Sequence, residues 1–104
     1  MLNVSILLLA VMASNPEREA PLLRATTTKS LNDFGACFAR AQDSASRPWA
    51  FMPTENGGTF TNAGASQPAA VYWLRVSESK SLNRIRLFAG RDSNNLVEVV
   101  NRCR

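Results

Sequence analysis

Two apolar segments in the last third of the chain, VYWLRV and NRIRLF, carry a tryptophan and arginines at alternate positions. Side chains on a β-strand alternate between its two faces, so matching the apolar positions of the segments sets Leu74 against Ile85. The other face of the sheet then carries Trp73, Arg75, Arg84 and Arg86. Guanidinium groups bind carboxylates and phosphates through parallel N–H donors, and the aromatic ring adds a π-face. We therefore predict a binding face for an anionic ligand or an envelope protein.

Three other interpretations of this face stay open. In the matched register Trp73 faces Arg86, and the two would form a cation–π pair that needs no ligand. Single-stranded nucleic acid also binds to basic faces with aromatic side chains, although an exported protein seldom meets it. A plain solvated surface is the third interpretation, because the formal net charge of +4 is modest.

The chain contains no histidine, which is the commonest general base and the commonest neutral metal ligand. A Ser-His-Asp triad is therefore impossible, and a reactive cysteine would lack its usual partner. A structural zinc site needs four nitrogen or sulfur ligands, whereas the chain has two cysteines. We predict no metal, no cofactor and no catalytic residue.

A small hydrolase that uses a Ser-Lys pair or two carboxylates is the alternative function. The segment SKSL contains Lys80, but these four residues by themselves do not form the S-x-x-K motif of such enzymes. Asp33 has the position of a helix cap, and Glu55 lies in a predicted turn. These residues favour a non-catalytic binding or interaction module over an enzyme.

Positive charge is concentrated in residues 71–104. Residues 1–70 contain five basic and five acidic side chains, whereas residues 71–104 contain seven basic and three acidic ones. The whole excess therefore comes from the last third of the chain, which also holds the predicted binding face. Weak attraction of polyanions such as nucleic acid, anionic lipid or acidic polysaccharide follows from this distribution.

The first 13 residues have the features of a signal peptide. An apolar run from Ile6 to Ala13 precedes the polar segment SNPERE, and Val11 and Ala13 match the small-x-small pattern of a signal peptidase site. Thirteen helical residues span roughly 20 Å, which is less than the hydrocarbon core of a bilayer at about 30 Å. We predict cleavage near Ala13 and a periplasmic or secreted protein without a transmembrane anchor.

Residues 14–29 contain two prolines and several charges, so we interpret them as a flexible leader before a single α+β domain at residues 30–104. The domain begins with a helix at about residues 31–42, for which Ser30 is the N-cap. Gly35 would let another element approach this helix closely. The apolar face of the helix combines Leu31, Phe34, Phe38 and Ala41.

Two hairpins and a second helix follow in the predicted domain. Asn56-Gly57 is the strongest short signal for a type I′ hairpin, in which Glu55 would pair with Gly58. The segments VYWLRV and NRIRLF form the second hairpin. The tail contains β-branched residues, but we favour a short helix because apolar residues recur there at helical spacing, namely Leu96, Val100 and Cys103.

The stretch GACFARAQDSASRPWAFMP, the turn NGGTFTNAG and the final cysteine resemble those of a group of small uncharacterised exported proteins of Gram-negative bacteria. The resemblance covers roughly residues 30–103. It rests on the helix cysteine, a W-x-F-x-P strand, a GG-x-F-x-N turn and the closing cysteine. The resemblance implies export and a disulfide, and it transfers no catalytic residue.

Export also gives the two cysteines a structural role, because exported proteins meet an oxidising environment. Cys37 lies on the inward side of the first helix and Cys103 is the penultimate residue, so Cys37–Cys103 is the one intramolecular disulfide available. The chain-entropy description values a loop of this length at roughly 4 kcal/mol. The predicted fold is α+β, with an N-terminal helix, a four-stranded antiparallel sheet of two hairpins, a short C-terminal helix and one disulfide.

Overall fold

We describe residues 20–63, 71–89 and 94–104 in a computed structural model of the protein. These residues form an α+β fold with two helices and one five-stranded antiparallel sheet. The predicted α+β class and the predicted disulfide are confirmed. The predicted signal peptide lies outside the described residues, so export stays a prediction. In chain order the elements are β1 (Leu23–Thr27), α1 (Leu31–Ser44), β2 (Ala50–Thr54), β3 (Gly57–Thr61), β4 (Tyr72–Ser77), β5 (Asn83–Ala89) and α2 (Asn94–Cys103).

The sheet has five strands in the described residues, so the prediction of four is wrong. The strand order is β1-β5-β4-β3-β2, and the additional strand, β1, pairs antiparallel with β5. It lies in the segment that we interpreted as a leader from its prolines and charges. Leu23 and Ala25 are partly buried, whereas Arg24 and Thr26 are exposed, which is the alternation of a strand with one covered face. Threonine has a high strand propensity, and the edge of β5 supplies the hydrogen-bond partners that a leader would lack.

Helix α1 begins where the sequence predicts. Ser30 has extended backbone, and its hydroxyl accepts a hydrogen bond from the Asp33 backbone N–H at 3.1 Å, as an N-cap does. Phe34 and Phe38 of the predicted apolar face are completely buried. The helix ends two residues later than predicted, at Ser44, and Trp49 Nε1 donates to the Asp43 carboxylate beside this end at 2.8 Å.

The β2–β3 hairpin is shifted by two residues from the predicted register. Thr54 pairs with Gly57, so the turn residues are Glu55 and Asn56 rather than Asn56 and Gly57. Neither turn residue has a positive φ, whereas a type I′ turn needs one at both central positions. Gly57 has a φ of +149°, and a Cβ there would lie 2.0 Å from the Val76 carbonyl oxygen. The close contact with β4 therefore requires the glycine that the sequence presented as a turn signal.

Strands β4 and β5 are also shifted by two residues from the predicted pairing. Leu74 faces Leu87 rather than Ile85, and Val76 takes Ile85 as its partner. Because the side-chain period of a strand is two residues, this shift leaves every residue on its predicted face. The connecting turn contributes to the register through Asn83, whose side-chain oxygen accepts from a backbone N–H of the turn at 3.3 Å.

One hydrophobic cluster joins both helices to one face of the sheet. Phe60 is central to its aromatic part, with ring centroids 5.1 Å from Phe38 and 4.9 Å from Phe51. A Cβ on Gly35 would lie 3.0 Å from the Phe60 ring, which confirms the predicted close approach to α1. We call the sheet face turned away from this cluster the distal face. The buried members of the cluster are Phe34, Phe38, Phe60, Tyr72, Leu74, Val76, Ile85, Leu87, Leu96, Val100 and Cys103.

The disulfide joins the end of α2 to the middle of α1. Cys37 and Cys103 are bonded, with Cα atoms 5.6 Å apart and a sequence separation of 66 residues. Lys29 Nζ donates to the Cys103 carbonyl oxygen at 2.8 Å, which ties the same turn of α2 to the chain just after β1. The last residues of the chain are therefore held from two sides.

Gln42 of α1 is the one fully buried polar side chain among the described residues with neither amide atom hydrogen bonded. It is 0% exposed, and its Oε1 and Nε2 have no partner in the described part of the chain. A buried polar group without a partner costs about 1–3 kcal/mol. We expect Gln42→Leu to raise the free energy of unfolding by about 1 kcal/mol, measured by urea denaturation.

A matched control for this substitution is Asn32→Leu, which exchanges an exposed amide of the same helix for the same apolar side chain. Its effect should stay within about 0.5 kcal/mol, as is usual at the surface. A destabilised Gln42→Leu protein beside an unchanged Asn32→Leu protein would contradict the expectation, because the buried amide would then make hydrogen bonds that stabilise the fold.

Candidate anion-binding site

The four residues predicted to form a binding face lie together on the distal face. Arg75 pairs with Arg86 across β4 and β5, Trp73 pairs with Phe88, and Arg84 pairs with Ser77. These positions alternate along both strands with the buried residues of the hydrophobic cluster, so they project to the opposite side of the sheet. The predicted partners of the arginines are thus wrong by two residues, while the shared face is present.

Arg86 packs on the ring of Phe88 rather than on the predicted partner Trp73. Its Cζ lies 5.9 Å from the centre of the Phe88 ring, two residues along the same strand, in place of the predicted contact with Trp73. Phe88 is only 6% exposed, and Trp73 is partly buried. Base stacking requires a ring with an accessible face. The distal face therefore suits recognition of charge better than stacking of nucleobases.

Strand β1 adds a third arginine-bearing strand to the distal face. Arg24 pairs with Arg86, and Thr26 pairs with Arg84. Arg24, Arg86 and Arg75 therefore form a row across three neighbouring strands, which are about 4.8 Å apart. Arg24 is absent from the predicted binding face because the sequence did not predict β1. The alternation in LRATT was the signal that could have placed it.

A cavity of about 680 Å³ opens beside β1 and β5, and we call it the arginine cavity. Four of its lining residues are arginines, and none of the described residues that line it is an aspartate or a glutamate. Two of them come from β5, one from β1 and one from the residue after α2. The volume is within the usual range of small-molecule sites. The described lining consists of Arg24, Ala25, Thr26, Ser77, Arg84, Ile85, Arg86 and Arg104.

Electrostatic repulsion is built into this cavity. Arg24 and Arg86 face each other directly across two strands, and like charges in that position destabilise a sheet. A guanidinium stays charged throughout the physiological pH range, so loss of a proton cannot relieve the repulsion. Low-dielectric walls lined by one sign of charge concentrate the potential and attract counter-ions. An oxyanion that bridges the arginines would relieve the repulsion through charge-assisted hydrogen bonds.

A second cavity, of about 530 Å³, lies between α1 and α2 next to the disulfide. Its lining includes Arg40, Arg47 and Arg102, but also the carboxylate of Glu98. The mixture of signs weakens the potential that an anion would meet there. The second cavity therefore serves as a comparison for the arginine cavity, because it also contains arginines but is less suited to binding an anion.

The residues considered for a hydrolase lie apart from one another. Lys80 is exposed in the β4–β5 turn, and the neighbouring Ser79 hydroxyl donates to the Leu82 carbonyl oxygen. Asp33 is in the first turn of α1, and Glu55 is exposed in the β2–β3 turn. These groups do not meet in one site.

Comparisons with known proteins add no assignment. The chain matches no protein-family model, no curated protein and no solved structure. Its resemblance to exported bacterial proteins therefore stays a prediction from the motifs. Within residues 20–63, 71–89 and 94–104, no helix combines the length and the apolar character needed to cross a membrane. The arginine cavity is the feature from which a function can be inferred.

Proposed function

We propose that the protein is a non-catalytic binding module that holds an anionic group of a ligand or partner in the arginine cavity. The single observation that carries this proposal is the convergence of four arginines from β1, β5 and the C-terminal residue on one cavity. Four arginines support non-catalytic binding of an anion, because guanidinium groups donate hydrogen bonds but do not act as general acids or bases.

The ligand class follows from charge and geometry. Arginine forms paired hydrogen bonds with planar or tetrahedral oxyanions, and several arginines together complement a multiply charged group. A phosphate ester, with about −1.5 to −2 charge, or a compound with several sulfate groups matches four guanidiniums better than a single carboxylate, which supplies one negative charge. The volume of about 680 Å³ leaves room for more than one such group.

The proposed location is the cell envelope. Export is predicted from residues 1–13, and the disulfide is compatible with an oxidising compartment. Phosphorylated and sulfated or otherwise acidic envelope components would be within reach of a small exported module. We therefore specify the partner by the anionic group that it carries, and not by the class of molecule to which that group is attached.

Isothermal titration calorimetry with two compact polyanions, tripolyphosphate and sucrose octasulfate, tests this function at low ionic strength. The wild-type chain should bind at least one of them with about one anion per protein. Arg84→Gln combined with Arg86→Gln should weaken that binding by about tenfold or more, because each charge-assisted hydrogen bond contributes about 1.5–3 kcal/mol.

The matched control combines Arg40→Gln with Arg102→Gln, which removes the same charge at the second cavity. This variant should bind the anion nearly as well as the wild type. Equal weakening in both double variants would show general attraction to a positive protein rather than a site. Absence of any binding to the wild type would exclude the proposed function for these two anion classes.

A further inference from the structure

The C-terminal residue Arg104 contributes to the arginine cavity from outside the sheet. Its Nη1 donates to the Thr26 carbonyl oxygen of β1 at 3.4 Å, and its Nε donates to Asn101 Oδ1 at 3.0 Å. A guanidinium has five N–H donors. These two hydrogen bonds orient the group across the edge of β1 and leave further donors for a ligand in the cavity.

The residue before Arg104 is held in place by a covalent bond and a hydrogen bond. Cys103 is 2% exposed and is bonded to Cys37 of α1, and its carbonyl oxygen accepts from Lys29 Nζ at 2.8 Å. The Arg104 backbone N–H continues the helix by donating to the Val100 carbonyl oxygen at 3.0 Å. A residue beyond the last turn of a helix is normally poorly ordered unless something ties it down. Here the tie is one residue away from the guanidinium.

We infer that Arg104 is an anion-binding residue whose position is set by the Cys37–Cys103 disulfide, so that the arginine cavity is complete only in the oxidised chain. This inference rests on the proposed function. It assigns the disulfide a role in binding beside its role in stability. A chain that still carries thiols would hold Arg24, Arg84 and Arg86 on the sheet, whereas the fourth arginine would be held by hydrogen bonds alone, without the covalent tie one residue away.

The redox step has a simple balance. A dithiol such as dithiothreitol transfers two electrons and two protons to the disulfide, so the Sγ–Sγ bond breaks and two thiols form. The reductant closes to a cyclic disulfide. No further reactant is needed. A small-molecule disulfide with a higher reduction potential than Cys37–Cys103 reverses the step by oxidising the two thiols.

A two-by-two experiment separates positioning from general loosening of the fold. Binding of whichever polyanion the wild type accepts, tripolyphosphate or sucrose octasulfate, is measured by calorimetry for the wild type and Arg104→Gln, each oxidised and reduced. Arg104→Gln should weaken binding by the oxidised protein about tenfold. Reduction should weaken binding by the wild type to a similar extent. Reduction of Arg104→Gln should cause no further loss, since the group that the disulfide positions is already absent.

Arg102→Gln is the matched control for Arg104→Gln. It removes one positive charge close to Arg104, but Arg102 lines the second cavity instead of the arginine cavity. It should bind like the wild type and lose affinity on reduction like the wild type. Reduced samples contain trimethylamine N-oxide, which favours the folded state, and near-ultraviolet circular dichroism verifies their folding.

The possible results are distinct. If oxidised wild-type protein binds neither anion, the proposed function fails and the inference fails with it. If binding depends on Arg84 and Arg86 but not on Arg104, only the inference is overturned. If reduction weakens Arg104→Gln as much as it weakens the wild type, the disulfide acts on the cavity as a whole and positioning of Arg104 is refuted. If the reduced chain unfolds despite the osmolyte, the disulfide acts on the whole fold and positioning of Arg104 is refuted, while oxidised Arg104→Gln beside oxidised Arg102→Gln still decides whether Arg104 binds the anion.

Discussion

Loss of the Cys37–Cys103 disulfide is expected to lower the free energy of unfolding by about 4 kcal/mol. The bond closes a loop with a sequence separation of 66 residues, so its absence returns a large conformational entropy to the unfolded chain. A domain of this size buries a modest share of its surface, and typical stabilities begin at about 5 kcal/mol. The reduced chain should therefore retain only a small margin of stability.

Urea denaturation of oxidised protein, of the same protein with dithiothreitol, and of the Cys37→Ala/Cys103→Ala variant checks this expectation. The reduced protein isolates the cross-link, whereas the alanine variant also removes two sulfur atoms, one of them on the buried Cys103. The alanine variant with and without dithiothreitol controls for the reductant itself. A loss below about 1 kcal/mol would contradict the expectation, and would mean that Leu96 and Val100 hold α2 in place unaided.

Tyr72 should titrate at about pH 12 in the folded protein and near pH 10 in the unfolded chain. Burial raises the pKa of its hydroxyl from the ordinary 10.0 to about 12, and the positive charge of Arg47 partly offsets this increase. The side chain is 2% exposed, and its hydroxyl has no hydrogen-bond partner in the described residues, so the phenolate would be poorly solvated. Tyr72 is the single tyrosine of the chain, which makes the phenolate absorbance near 295 nm unambiguous.

The sign of the linked stability change follows from the direction of the shift. Between pH 10 and about 12 the unfolded chain has lost the proton while the folded chain keeps it, so stability falls as pH rises through this window. We expect a loss of about 2 kcal/mol after allowance for solvent screening. Below pH 10 both states are protonated, and this contribution to stability is fully retained.

Absorbance titrations in buffer and in concentrated urea measure the two pKa values directly. Tyr72→Phe should abolish the 295 nm change and flatten the part of the alkaline stability profile that belongs to this group. Arg47→Gln should raise the folded pKa further, because it removes a nearby positive charge that favours the phenolate. A folded-state midpoint near 10 would show that water reaches the hydroxyl.

Local signals predicted the local structure well. The Ser30 cap and the apolar spacing of α1 act within a few residues, and the helix begins where they indicate. Alternation placed Trp73, Arg75, Arg84 and Arg86 on one face because that property has a period of two. The same period explains both register errors, since a shift of two residues preserves the face and therefore leaves no trace in the pattern.

The complete cavity could not be predicted because it depends on contacts between distant segments. Arg24 joins Arg86 only through the pairing of β1 with β5. Arg104 reaches Thr26 only because α2 ends at the disulfide and beside β1. The composition of residues 14–29 led us to interpret Arg24 as part of a flexible leader, and no pattern in the sequence indicated what Arg104 would contact. A pairing between strands far apart in sequence is decided by the available edge, which no single segment reveals.

Gly58 and Phe51 of the β2–β3 hairpin behave as a single steric unit. The Phe51 ring lies where a side chain at position 58 would be, since a Cβ there would be 2.1 Å from the ring. The same ring packs against the Phe60 ring at a tilted angle. Phe51 therefore covers Gly58 and contacts the aromatic cluster at the same time. The space between the two positions holds a large side chain at position 51 or a side chain at position 58, but not both. A side chain at position 58 therefore needs a smaller residue at position 51 as compensation, although Phe51 by itself resembles an ordinary exposed residue of a hairpin.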